Sequence, residues 1–134
     1  MDSGRLERIY RDYIACLNAR DWDALGRFVD GAVEHNGMAL GLAGYRRMLE
    51  QDVAAIPDLH YVVGLLVVQP PHVAARLLFD CTPEGRFLGL AVDGRRIRFS
   101  ENVFYGFAQD RISRVWSVVD KAAIEAQLAA SGHG

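Results

Sequence analysis

The feature that most restricts this sequence is a change of hydrophobic period at Pro57. Ahead of it, Leu6, Ile9, Tyr10, Tyr13, Ile14 and Leu17 recur at helical spacing, and Ser3 is the expected cap. Asp21 is placed to cap a second, short helix carrying Trp22, Leu25, Phe28 and Val29. Ala32 to His35 reads as a brief strand, closed by the turn signal Asn36-Gly37. Tyr45, Met48, Leu49, Val53 and Ile56 mark a third helix, which Pro57 stops. Beyond Pro57, Leu59 to Val68 and Val73 to Cys81 are rich in β-branched and large apolar residues, and Gln69-Pro70-Pro71 between them reads as a hairpin turn. Arg95 to Phe107 and Arg111 to Val119 form a second long pair across Ala108-Gln109-Asp110, and Asp120 to Leu128 closes the chain as a helix. Helices in front and a strand meander behind predict an α+β fold with an antiparallel sheet. A bent sheet with helices over its concave face leaves room for one deep pocket.

With 134 residues the chain fits a single domain, 1–134, and its 51% hydrophobic and 24% charged residues suit a folded core. The apolar run Val62 to Val68 contains Gly64 and is too short to cross a bilayer, and the opening MDSGRLER has no apolar h-region, so neither membrane nor signal peptide is expected. Cys16 and Cys81 stand alone, as buried thiols of a reducing cytoplasm would. A net charge of −2, with only the short cluster Arg95, Arg96 and Arg98, argues against a nucleic-acid partner. His35, His60, His72 and His133 show no ligand spacing with carboxylates or cysteines, so no metal is expected. The tail AASGHG reads as loose.

The stretch VWSVVDK, Val115 to Lys121, carries the functional question, because a strand suited to a core ends there on a carboxylate. Asp120 before KAAIEAQL is a good helix cap, worth about 0.5–2 kcal/mol. The two-residue strand period also puts Trp116, Val118 and Asp120 on one face. If that face lines the pocket, limited water raises the carboxyl pKa toward the range of a general acid/base. On the preceding strand Ser100, Asn102 and Phe104 share one face and Glu101, Val103 and Tyr105 the other. With the first set inward, Asn102 holds a carbonyl or enolate oxygen; with the second inward, Glu101 is the buried acid. Periodicity leaves both open. His35 stands at a strand end, either as a turn histidine or as a group that orients a substrate oxygen. Tyr10, Tyr13 and Tyr45 suit core or pocket wall, and Arg76 with Asp80 suits an ion pair. The helices cover one sheet face only, so Glu101, Val103, Tyr105 and Phe107, or their neighbours of opposite parity, are expected to join a two-fold homodimer.

From about Tyr10 to Leu128 the sequence resembles the SnoaL-like polyketide or ester cyclases of the nuclear transport factor 2-like superfamily. The resemblance rests on His35, Gly44-Tyr45, Pro57-Asp58-Leu59, Val73-Ala74-Ala75-Arg76, Gly85-Arg86-Phe87-Leu88-Gly89-Leu90, Gly94-Arg95-Arg96-Ile97, Trp116, Asp120 and Gln127-Leu128. It implies a cone-shaped, curved antiparallel sheet covered by N-terminal helices, an α+β barrel of the cystatin-like kind, and it implies no cofactor. It also implies that Asp120 is the general acid/base of an intramolecular aldol closure, with His35 matching a family histidine. The chain departs from the family at Gly106 and at Pro83, where relatives carry histidine. The expectation is therefore a cofactor-independent enzyme, a cyclase-like lyase or isomerase, moving a proton next to the carbonyl of a small apolar or aromatic compound. Asp120 and His35 are the expected catalytic residues, and Trp116, Asn102, Phe104, Val118, Tyr13 and Tyr45 the expected substrate contacts. A non-catalytic binding module of the same fold and an epoxide hydrolase-like enzyme are the alternatives.

Overall fold

Helix α1 spans Ser3–Ala19 in the computed structural model, which describes residues Asp2–Ser131. Its cap is Asp2 rather than Ser3: the carboxylate accepts from the backbone N–H groups of Gly4 and Arg5 at 3.3 Å. Arg20 ends the helix in the left-handed conformation. A 3₁₀ turn, Trp22–Arg27, leads into β1 (Val29–His35), which starts three residues before the predicted strand. Asn36 and Gly37, with φ of 48° and 82°, turn the chain into β2 (Met38–Ala39). Helix α2 (Gly41–Ala55) follows, then β3 (Val62–Gln69) and β4 (His72–Cys81). A small hairpin of β5 (Arg86–Phe87) and β6 (Leu90–Ala91), absent from the sequence-based expectation, precedes β7 (Ile97–Ala108), β8 (Arg111–Val119) and α3 (Lys121–Ser131). Of the tail expected to be loose, residues 129–131 continue α3, whereas 132–134, with His133, lie outside the described residues. No helix among the described residues is long and apolar enough to cross a membrane.

The six-stranded sheet is curved and unclosed, with order β2-β1-β8-β7-β4-β3. Its pairings are antiparallel except one, because β1 enters beside the last strand and runs parallel to it. Gly64 marks an irregularity in β3: a Cβ there would lie 2.7 Å from Leu78 Cγ, so a side chain at 64 would force Leu78 aside.

Which strand parity faces the helices is settled by α1. The rings of Tyr10 and Tyr13 meet Tyr105 with centroids 4.9 and 6.0 Å apart. Tyr105 therefore points inward, and with it Val103, Glu101 and Phe99. The ladder carries this across the sheet: Val115, Ser117 and Val119 stand opposite Tyr105, Val103 and Glu101, and Ala75 and Leu77 stand opposite Val103 and Glu101. Leu6, Tyr10, Leu25, Val33, Ile112 and Ile124 are fully buried around this layer, each apolar side chain worth about 1.5–3 kcal/mol of burial.

The opposite parity faces outward, and this corrects the placement expected for five site residues. Asn102 and Phe104 lie opposite Val118 and Trp116 on the convex face, where all four are exposed, and Asp120 continues that row. Asp80 and Arg76 share the same face but do not pair. Arg98, directly opposite Asp80, and Arg96 take its carboxylate, while Arg76 donates to its own ladder neighbour Asn102 at 2.9 Å. Four residues along a strand, roughly 13 Å, separate Asp80 from Arg76.

Candidate active site

A cavity of about 460 Å³ opens between the concave face and the helices. Its floor is Leu77, Phe79, Phe99, Glu101, Val103, Val115, Ser117 and Val119 from the sheet, and α1 adds Tyr13 and Leu17. From α2 come Tyr45, Met48, Leu49 and Asp52, successive turns of one helical stripe. Phe87 and Leu88 of the β5–β6 hairpin also line the cavity, as does Lys121, exposed at the start of α3.

The polar groups are placed by identifiable bonds. Asn36 fixes the end of β1 to β8: its side-chain carbonyl accepts from Ser117 N–H at 2.8 Å and its amide donates to Ser117 C=O at 3.2 Å. His35, next to it, reaches the Tyr45 ring at a centroid distance of 6.4 Å. Asn18 clamps the backbone of Tyr61, accepting from its N–H at 2.7 Å and donating to its carbonyl at 2.9 Å. Thr82 donates to Asp58 through both its backbone and its hydroxyl, and Glu84 N–H to Ala55 C=O at 3.0 Å, so the hairpin loop is tied to the end of α2.

Glu101 is the centre of this arrangement. Its carboxylate accepts a hydrogen bond from the Ser117 hydroxyl. Burial pushes its pKa up, and the Ser117 bond partly opposes the rise. Asp52 is pushed up to about 6, first by burial and then by the nearby charge of Glu101. Burial lowers the pKa of His35, which favours neutral imidazole. The hydroxyls of Tyr13 and Tyr45 are 2.7 Å apart, and Tyr10 donates to Tyr105 at 3.4 Å. Burial holds all four phenols in the neutral, proton-donating form. The cavity thus offers two carboxyls whose protons come and go nearer neutrality than usual, beside hydroxyl donors and in little water. Such a set can take a proton from carbon and steady the oxyanion that results.

Comparison with known proteins agrees with this architecture. The family model of the SnoaL-like polyketide cyclases matches residues 7–128. The chain is a member of that family. The crystal structure of a SnoaL-like polyketide cyclase from Agrobacterium tumefaciens is 53% identical with a TM-score of 0.92, over 96% of this chain and 99% of that one. TsrD from Streptomyces laurentii is 22% identical with a TM-score of 0.83, over 96% and 97% of the two chains. IdmH from Streptomyces antibioticus, at 18% identity and a TM-score of 0.79, covers 92% of this chain and 98% of its own. The last two are likenesses of fold. No curated protein matches the chain.

In this SnoaL-like chain the structure brings together three of the eight expected site residues, His35, Tyr13 and Tyr45. Asp120 stays outside the cavity: it caps α3, its Oδ1 accepting from Ala123 N–H at 3.1 Å. Trp116, Asn102, Phe104 and Val118 lie with it on the convex side. At Gly106, where the resemblance expects histidine, a side chain would stand 3.6 Å from Arg114 Cβ and the Trp116 ring, also away from the cavity. Glu101 entered the sequence reading as the acid of the alternative parity, and that parity is the one observed. Asp52, Ser117, Asn36 and Tyr61 were missed. Asp52 had a signal: it lies seven residues after Tyr45 and four after Met48, a carboxylate on an apolar helical stripe. Among the described residues no group of three or more His, Cys, Asp and Glu side chains is placed to hold a metal ion.

Proposed function

We propose that this SnoaL-like protein is a cofactor-independent enzyme that moves a proton on the carbon next to a carbonyl of a small, largely apolar substrate, in ring closure by aldol attack or in isomerisation. The observation that carries the reading is Glu101, a half-buried carboxyl that faces an aromatic-lined cavity and is held by Ser117. Glu101 takes the proton. Tyr45, backed by the Tyr13 hydroxyl, donates to the enolate oxygen, and neutral His35 is a second donor at the β1 end. Asp52, with a pKa of about 6, returns or relays the proton near neutral pH. Asp120 keeps the structural part of its two readings. Hydrogen–deuterium exchange at the α-carbon of a panel of aryl ketones, followed by NMR, tests this. Glu101→Gln should slow exchange by about 10²–10⁴-fold while the fold is retained. Undiminished exchange in Glu101→Gln would remove the base from this position, and a protein that binds ketones yet exchanges none would be a ligand-binding module.

We also propose that the convex face joins two copies. Leu65, Val67, Phe104, Trp116 and Val118 are large, exposed and contiguous through the ladder, around the polar pair Arg76–Asn102. An exposed apolar patch of this kind fits a two-fold contact.

A further inference from the structure

The cavity holds two carboxyl groups, Asp52 from α2 and Glu101 from β7, and gives neither a cation. The ion pairs among the described residues lie elsewhere, and none includes either residue. Arginine is plentiful in this chain, yet no arginine lines the cavity, and Lys121, which does line it, is exposed and makes no ion pair with either acid. His35 is kept neutral by its burial. Burying an acid without a partner is costly, and proteins ordinarily meet that cost with a guanidinium or an ammonium nearby. The rest of the lining suits a cation as well. Tyr45, Tyr61, Phe79 and Phe99 surround the acids, with Phe79 and Phe99 stacked at 5.1 Å and Tyr61 edge-on to Phe79 at 5.5 Å. Aromatic faces attract cations through the ring quadrupole, most strongly where water is scarce.

Resting on the reading of this cavity as the substrate site, we infer that its ligand carries a protonated amine on an apolar or aromatic body, with the ammonium beside Asp52 and within the field of Glu101. The aromatic walls take the body and part of the charge. With an ammonium bound, Asp52 serves as its counter-ion instead of relaying a proton, and Glu101 both takes and returns the carbon-bound proton. The substrate class is then an amino ketone of aromatic or alicyclic skeleton rather than a neutral ketone. An ammonium near both acids also favours their ionised forms, so such a substrate makes its own base available on arrival. A neutral compound of the same shape leaves the two acids without a counter-ion and loses that gain.

The test compares three probes of one skeleton by titration calorimetry at pH 7.5: 3-phenylpropylammonium, 3-phenylpropan-1-ol and 3-phenylpropanoate. The expected order is ammonium tighter than alcohol by about tenfold or more, with the carboxylate weakest. Asp52→Asn should erase most of that preference by weakening the ammonium more than the alcohol, and Glu101→Gln should reduce it by less. Equal or tighter binding of the alcohol in the unmodified protein overturns the inference. So does an ammonium preference that survives in both variants, or an ammonium that does not bind at millimolar concentration. Exchange of neutral ketones without any ammonium preference would defeat this inference and leave the proton-transfer reading standing. Ammonium preference without exchange of any ketone, aminated or not, would do the reverse.

Discussion

Ser117 on β8 reaches diagonally across the ladder to Glu101 on β7, and its hydroxyl donates to the Glu101 carboxylate. Ser117 is paired directly with Val103, so the bond spans one step along the strand, within the reach of diagonal neighbours in an antiparallel pair. It favours the charged form of a group whose burial favours the neutral one. Ser117→Ala should therefore raise the Glu101 pKa further. A carboxyl ¹³C titration should show the rise, and the acid limb of the pH–rate profile should move to higher pH with it. Ser117→Thr should leave both in place. An unmoved titration in the alanine variant would mean that the hydroxyl does not tune this acid.

Asp52 makes the protein less stable at neutral pH than it need be. Its folded-state pKa of about 6 lies above the ordinary 3.8, so the native state holds this proton more tightly than the unfolded chain. The associated stability is complete below about pH 4 and is lost as the pH climbs through 6. The loss reaches at most about 3 kcal/mol. Asp52→Asn should be more stable than the parent at pH 8 by up to that amount, and the gap should close steadily toward pH 4. Urea unfolding at several pH values measures it. A constant gap would contradict the burial of this carboxyl.

Asp120→Asn should keep both stability and turnover, because asparagine caps a helix as well as aspartate. Asp120→Ala should lose about 1 kcal/mol through the bond to Ala123, again with turnover intact. Thermal unfolding and the ketone exchange assay read the two effects separately. A folded Asp120→Asn protein without exchange would return the acid/base role to the end of β8.

Sedimentation should find a dimer at micromolar concentration. Val118 is 71% exposed and Phe104 56% in the single chain, so a charge at either site disturbs no core. Val118→Arg should give a folded monomer, seen as an unchanged circular dichroism spectrum with half the sedimenting mass. A monomeric parent protein would refute the two-fold contact.

The order of elements was legible because period and turn residues are local signals. The sense of the sheet was not. Along β7 both parities mix polar and aromatic residues, Asn102 with Phe104 and Glu101 with Tyr105, so neither looks like a solvent face. On β8 the outward set, Trp116 and Val118, is more apolar than the inward set that includes Ser117. The choice is made by α1, whose Tyr10 and Tyr13 rest on Tyr105, a contact between residues far apart in sequence. Asp52 escaped notice for a different reason: a carboxylate on a helix reads as solvent-facing until the cavity beside it is seen. The Arg76–Asp80 pairing failed on register, since two residues on one strand face can share a side without sharing a neighbour.

The alternation of β7 gives the molecule two independently editable surfaces on one strand. Glu101, Val103 and Tyr105 belong to the chamber, and Asn102 and Phe104 to the exterior. Substitutions at even-numbered positions from 100 to 104 alter the convex surface, and those at odd-numbered positions from 99 to 105 alter the lining of the chamber. A lineage or an engineer can thus alter one trait through single changes without first dismantling the other. The only step that trades both at once is a one-residue slip of the strand, which would turn the chamber inside out.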